Sequence, residues 1–234
     1  MVESGGKRIV LTADRSLMTN YRGNFLYGFI ACGPYELVPE FVFDKLFCPS
    51  VETDKNTGEV KVAQCGLRRI EGALLKDYRR DEIFLAHPEM LEKCIGPETK
   101  VVGINVMDPL GMAPVTTTMS PDKLSYVAMK FKKMCASVIQ LKKKYNFKVV
   151  VGGNGSWELA KPDRMKIHGI DTVVIGEADE LALRCVSEAE AHRADRAPGT
   201  RVPCRLGGDH RGEPSGGHGV RGRGGVDHAG VLGR

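Results

Sequence analysis

The sequence predicts an α/β fold, a Rossmann-like five-stranded parallel sheet with helices on both faces, followed by a disordered C-terminal tail. Three observations carry this expectation. Five short runs rich in Val and Ile recur between residues 7 and 177. These runs are apolar almost throughout instead of alternating, as strands covered on both faces are. Between most of them apolar residues return at three- and four-residue spacing, so strand and helix alternate, and right-handed crossovers then give a doubly wound sheet.

The first run, Lys7 to Asp14, is a buried strand that ends on polar residues. Residues 15–64 are less regular. They hold Gly23, Gly28, Gly33, Pro34, Pro39 and Pro49, and a hairpin turn at Asp54 to Gly58 flanked by 47–51 and 59–62. This stretch reads as an insertion over the strand ends, not a second domain. From Gly66 to Leu75 a helix places Leu67, Ile70, Leu74 and Leu75 on one face, as the first crossover. Glu82 to Ala86 is a short strand, and Pro88 suits the first turn of a helix over 89–95.

Lys100 to Met107 is a clear buried strand that empties into a loop over 108–119. Ser120, Pro121 and Asp122 then predict a helix start, with Ser as N-cap, Pro at the first position and Asp in the first turn. Leu124, Val127, Phe131, Met134, Val138 and Leu141 follow as a core stripe. Phe147 to Gly153 and Asp171 to Glu177 complete the series, each a valine-rich strand stopping at glycine.

After Cys185 the composition changes. From Val186 to Arg234 there is no Lys, Ile, Phe, Tyr, Asn, Met, Gln or Trp, and such a segment lacks the side chains to build a core. The chain therefore divides into an α/β domain over 1–185 and a low-complexity Arg/Gly-rich tail over 186–234. The missing residue types are largely those with A/T-rich codons, and the change interrupts an amphipathic helix start at Glu177 to Arg184. Out-of-frame translation of GC-rich DNA is the favoured reading of the tail. A disordered appendage and a flexible linker are the alternatives.

Hydrophobic residues make up 42% and charged residues 27% of the 234 residues, as in globular proteins. No stretch approaches the roughly 20 apolar residues of a membrane-spanning helix. The start has no apolar core followed by small residues, so no secretory signal is expected and the cytoplasm is the expected location. Seven scattered cysteines, none at C-x-x-C spacing, argue against a disulfide scaffold, a zinc ribbon and a cluster-binding run. The net charge of +5 is not gathered into one patch, and much of the arginine lies in the tail, so a nucleic-acid partner is not expected.

In doubly wound sheets the ligand lies outside the carboxyl ends of the strands. That directs attention to Asp14, to Asn105 through Asp108 with Met107 between, to Gly152, Gly153, Asn154, Gly155 and Ser156, and to Gly176, Glu177 and Ala178. Paired glycines after a strand let a backbone approach a flat or phosphate-bearing ligand, or simply make a tight turn. Trp157, the sole tryptophan, frames a planar ring or anchors a helix. Glu177 accepts a ligand hydrogen bond or caps the next helix. No G-x-G-x-x-G follows the first strand and no P-loop occurs, against a nicotinamide or P-loop nucleotide site. His87 and His168 have no sequence neighbours that suggest a triad or metal site. Cys32, Cys48 and Cys65 carry no local sign of a lowered pKa. No catalytic or metal-ligating residue is assigned.

The run from Val101 to Met107, the Lys148 to Gly153 strand and turn, and Ile170 to Ala178 (IDTVVIGEA) resemble, in order and spacing, the N-terminal cobalamin-binding domain of B12-dependent radical SAM proteins. The resemblance covers roughly residues 60–185. It implies a cobalamin (B12) lying across the strand ends, with Gly152, Gly153 and Asn154 at the nucleotide tail or corrin edge. Asn105 to Asp108 would meet the corrin, and Gly176 to Ala178 the dimethylbenzimidazole side. The family's D-x-H-x-x-G is replaced by Thr12 to Leu17 (TADRSL), without His, which implies a base-off cofactor with no protein histidine on cobalt. The family's C-x-x-x-C-x-x-C for a [4Fe-4S] cluster and S-adenosylmethionine is absent. Full-length relatives are iron–sulfur enzymes, often methyltransferases. This chain then corresponds to the cobalamin half, truncated before the catalytic barrel and inactive alone. The rival readings are a stand-alone α/β small-ligand sensory or regulatory module without catalysis, and a nucleic-acid binder driven by the tail.

Overall fold

The structure is a computed structural model that describes residues 6–176, Val186 with Ser187, and Cys204–Arg205. Five parallel strands form where the apolar runs stand: β1 (Ile9–Ala13), β2 (Ile83–Leu85), β3 (Val101–Asn105), β4 (Lys148–Gly152) and β5 (Thr172–Ile175). Their order is β2-β1-β3-β4-β5, and the two-residue strand β6 (Cys204–Arg205) adds a parallel edge beside β5. The chain thus winds outward both ways from a switch point between β1 and β3.

Helices cover both faces. On one, Val10, Val102, Ile104, Val149, Val151 and Val173 pack under α3 (Leu91–Cys94), α5 (Tyr126–Lys144) and α6 (Pro162–Ile167). On the other, Ile9, Leu11, Val101, Val150 and Val174 meet α2 (Cys65–Leu74) and Val186. Val186 is the first residue of the compositionally distinct tail, and it is buried. Strand pairing at β6 uses backbone groups and needs no apolar side chains. At these two places residues beyond 185 join the fold, which composition did not foresee. The rest of the tail expectation lies outside the described residues. Among the described residues no helix is long and apolar enough to cross a membrane.

Two local expectations are corrected. The long helix starts at Tyr126 with Ser125 as its cap, accepting from the Ala128 amide at 3.3 Å, not at Ser120. Ser120 instead ends α4 (Pro114–Met119), donating its hydroxyl to the Cys32 carbonyl at 2.8 Å, and Asp122 sits at φ 59° in a turn. Leu124 is accordingly 41% exposed, outside the core stripe. On α2, Leu67 and Leu74 are buried, but Leu75 is exposed and Glu71 takes its place, held by Arg68 and Arg80.

Residues 15–64 pack as an irregular layer on α5. Within it α1 (Phe25–Ala31) and the turn Phe43–Phe47 bury Ala31, Phe43 and Cys48 against Tyr126 and Met129. Phe43 stacks on Tyr126 at 3.7 Å between ring centres. Lys130 reaches Glu40 at 2.6 Å and Asp44 at 2.7 Å, and Tyr126 donates to Asp44. Arg15 joins Asp44 and Glu89 at 3.3 and 2.5 Å. The turn at Asp54 to Gly58 closes as expected, with Gly58 donating to the Asp54 carbonyl at 2.8 Å, but its flanks pair only through the single bridge Thr53–Val60.

Candidate functional site

Side chains alternate across a strand, so one face of the sheet carries Leu11, Gly103, Asn105, Val150, Gly152 and Val174. Register places Leu11, Gly103 and Val150 side by side, and Asn105 beside Gly152. Three of these positions in the central strands are glycine or a small polar residue, so a helix laid on this face cannot fill it. A cavity of about 620 Å³ results, between the sheet floor, the N-terminal half of α2 and the loops after β3 and β4. Its size is that of a small-molecule or cofactor site.

The walls are specific. From α2 come Gln64, Cys65, Gly66, Leu67, Arg69 and Ile70. From the loops come Met107, Asn154, Ser156 and Trp157, and Val186 closes the far side. Arg69 is the only charged side chain among the described lining residues, and none of these is a histidine. Gln64, the N-cap of α2, makes no side-chain cap bond, and its Nε2 is buried without an acceptor. Trp157 is 51% exposed at the rim.

Asn105, Met107, Gly152, Gly153, Asn154 and Gly176, singled out from the sequence as strand-end residues, meet at one cavity together with Val106, Ser156 and Trp157. Asp14 and Asp108 do not line it. Asp14 lies on the opposite, packed side, buried beside Cys135 of α5, and its Oδ1 accepts from the Ser16 amide at 2.8 Å and the Ser16 hydroxyl at 2.5 Å. Burial pushes its carboxyl up to about 6. Asp108 is turned into its own loop, taking the Ala113 amide at 2.9 Å and the Thr116 hydroxyl. Glu177 and Ala178 lie outside the described residues.

The glycines divide by role. A Cβ on Gly153, at φ 110°, would stand 2.3 Å from the Val106 carbonyl oxygen and 2.5 Å from Asn105 Oδ1. One on Gly155 would stand 2.2 Å from the Met107 oxygen. Both serve close packing of the two loops, the tight-turn reading of the pair, and Gly153 with Gly66 makes room for the Asn105 side chain. Among the described residues nothing lies within 4 Å of a Cβ on Gly176, whose φ is 104°.

The two loops also share a buried acid pair. Glu158, in the turn Ser156–Leu159, is 0% exposed. Its Oε2 accepts from the Leu110 amide at 2.7 Å, the Met112 amide also donates to the carboxyl, its Oε1 has no close donor among the described residues, and the carboxyl meets that of Asp108. Burial, with Asp108 adding to it, pushes Glu158 up to about 8.

The remaining candidates have structural partners. His87 caps a helical turn, its Nδ1 accepting from the Glu89 amide at 3.3 Å, and burial lowers its pKa. His168 Nδ1 lies 2.7 Å from the Arg164 carbonyl. Burial raises the thiol pKa of Cys32 and of Cys48. Cys65 is exposed at the start of α2.

The α2 wall was not anticipated from the sequence, because its apolar periodicity marks only the face that packs. The floor was legible in part: Gly103 interrupts a valine-rich strand, the usual mark of a close approach or an open face. Compared with protein-family models, with curated proteins and with solved structures, the chain matches none.

Proposed function

We propose that this chain binds a large, partly planar, phosphate-bearing cofactor of the cobalamin type across the carboxyl ends of β3, β4 and β5. The observation that carries this reading is the convergence of Asn105, Met107, Gly152, Asn154 and Gly176 on one glycine-floored cavity. A floor with glycine at 103 and 152 and only Asn105 between them at the carboxyl ends suits a ring system, and Met107 and Trp157 offer apolar surface at its rim. Arg69 supplies the positive charge, and the amides at the start of α2, which Gln64 leaves uncapped by its side chain, suit a phosphodiester. The buried Nε2 of Gln64 and the amide of Asn105 provide donors for the carboxamide edges of such a ring.

When bound, cobalamin supplies a cobalt–carbon bond from which a methyl group can be transferred. What this chain's own residues do is hold and orient. Asn105, fixed between Gly66 and Gly153, sets the position of the ring edge, and the sheet floor excludes water from one side of it.

Titrating the 234-residue chain with hydroxocobalamin tests the reading. The expected result is a shift in the corrinoid absorption bands and co-elution of the pigment with the protein. Replacing Asn105 by Ala, which removes one hydrogen-bonding side chain, is expected to weaken binding roughly 3- to 10-fold. The absence of both a spectral shift and co-elution would overturn the proposal and leave the stand-alone small-ligand module in its place.

A further inference from the structure

The loops after β3 and β4 form the cavity rim, carrying Met107 on one and Asn154 and Trp157 on the other. Among the bonds that join them are the Val106 amide to the Gly152 carbonyl at 2.8 Å, the Gly155 amide to the Val106 carbonyl at 3.2 Å, and the Leu110 amide to the Glu158 carboxyl at 2.7 Å, with the Met112 amide also donating to that carboxyl. That carboxyl belongs to a wholly buried acid that faces another acid, Asp108, and its Oε1 is buried with no close hydrogen-bond donor among the described residues. Among the described residues no cation forms an ion pair with it: Arg164 of α6 donates its Nη1 to the backbone carbonyl of Glu158 at 2.5 Å and lies 3.3 Å from the Met112 sulfur. Asp108 in turn faces the Thr116 hydroxyl and the Cys32 thiol, neither of which carries positive charge.

Two carboxyls in contact without a counter-charge need a proton between them, because neither oxygen can donate otherwise. We propose that Glu158 is a proton-operated latch on the cavity: protonated, it donates to Asp108 while accepting from Leu110 and holds the two rim loops together. Ionised, it sets two negative charges against each other in a dry pocket, and the loops part, carrying Met107 and Trp157 away from the cavity mouth. The elevated pKa of Glu158 places this change just above neutrality. The latch stands on the loop geometry and holds whatever ligand the cavity takes.

Trp157, the neighbour of Glu158 and the sole tryptophan of the chain, reports on the rim directly. The test is acrylamide quenching of its fluorescence in the full chain from about pH 6 to pH 10, since acrylamide is neutral and its quenching efficiency follows accessibility. Quenching is expected to rise through one transition near pH 8 in the wild type. In Glu158→Gln, which keeps a donor for Asp108 at every pH, the transition is absent. In Asp108→Asn, which removes the opposing charge, it moves to lower pH. A wild type without a transition, a Glu158→Gln variant that titrates like it, or an Asp108→Asn variant with an unmoved midpoint would each overturn the latch. Far-UV circular dichroism at pH 6 checks that each variant is folded, and if Glu158→Gln is not, the midpoint of Asp108→Asn decides.

Discussion

The two faces of the sheet are made by the same strands and differ in what alternates along them. One face presents Val102, Ile104, Val149, Val151 and Val173, all buried under a 19-residue helix. The other presents Gly103, Asn105, Val150, Gly152 and Val174, and leaves about 620 Å³ open at the carboxyl ends. Branched side chains on the first face fill the space to the helix. On the second, Gly103, Asn105 and Gly152 take the place of branched side chains toward the carboxyl ends, and the space beside the start of α2 stays unfilled. A continuous valine-rich strand can therefore be a packing surface on one side and a site on the other, with the switch set by parity alone.

The largest test of this contrast lies at the centre of the packed face. Phe131 is wholly buried there, and Phe131→Ala is expected to cost about 3–5 kcal/mol in urea unfolding. A loss near zero would mean that this face is not the close-packed one. Next comes the loop junction, where Gly155→Ala places a methyl against the backbone of Met107. Roughly 3 kcal/mol is expected, while Gly176→Ala, which meets none of the described residues and is strained by its positive φ, is expected to cost about 1 kcal/mol.

Asp14 sharpens the contrast electrostatically, because it is buried on the packed side. Burial lifts its carboxyl from an ordinary 3.8 to about 6, so the folded chain holds a proton that the unfolded chain has released. Stability present below the lower value is lost as pH rises through the upper one. Between about pH 4 and pH 7.5 the wild type is expected to lose roughly 2–3 kcal/mol relative to Asp14→Asn, whose amide stays neutral. Parallel denaturant curves for the two chains at both pH values measure this, and a pH-independent gap would show that Asp14 is solvated.

The smallest and most direct comparison is between neighbours in β4. Val151→Ala on the packed face is expected to cost about 1 kcal/mol more than Val150→Ala on the cavity face, since only the former opens a void inside close-packed surroundings. Equal costs would break the distinction between the faces.

Most of the fold was legible in the sequence. Each apolar run forms a parallel strand, because burial on both sides demands unbroken apolar character, and the glycines at the strand ends mark where the chain turns. The helix start was misplaced by the Ser120 to Asp122 signal. A serine before proline serves a turn as well as a cap, and here the Ser120 hydroxyl is taken by the Cys32 carbonyl, 88 residues away in sequence. The candidate site was half legible. Asn105, Met107, Gly152, Gly153, Asn154 and Gly176 were chosen as strand-end residues and do converge. Asp14 and Asp108 satisfy the same rule and do not, the one lying on the other side of the sheet and the other folding into its own loop.

The sequence by itself determined which segments are strands, that the sheet is parallel and covered, and at which end a site can lie, because periodicity and composition act locally along the chain. Tertiary structure alone decided which face stays open, that the start of α2 becomes its wall, and that Glu158 meets Asp108 across two loops. Those facts depend on register and on the distance between elements remote in sequence. Contacts of that kind arise only when the strands pair, and no local pattern encodes them.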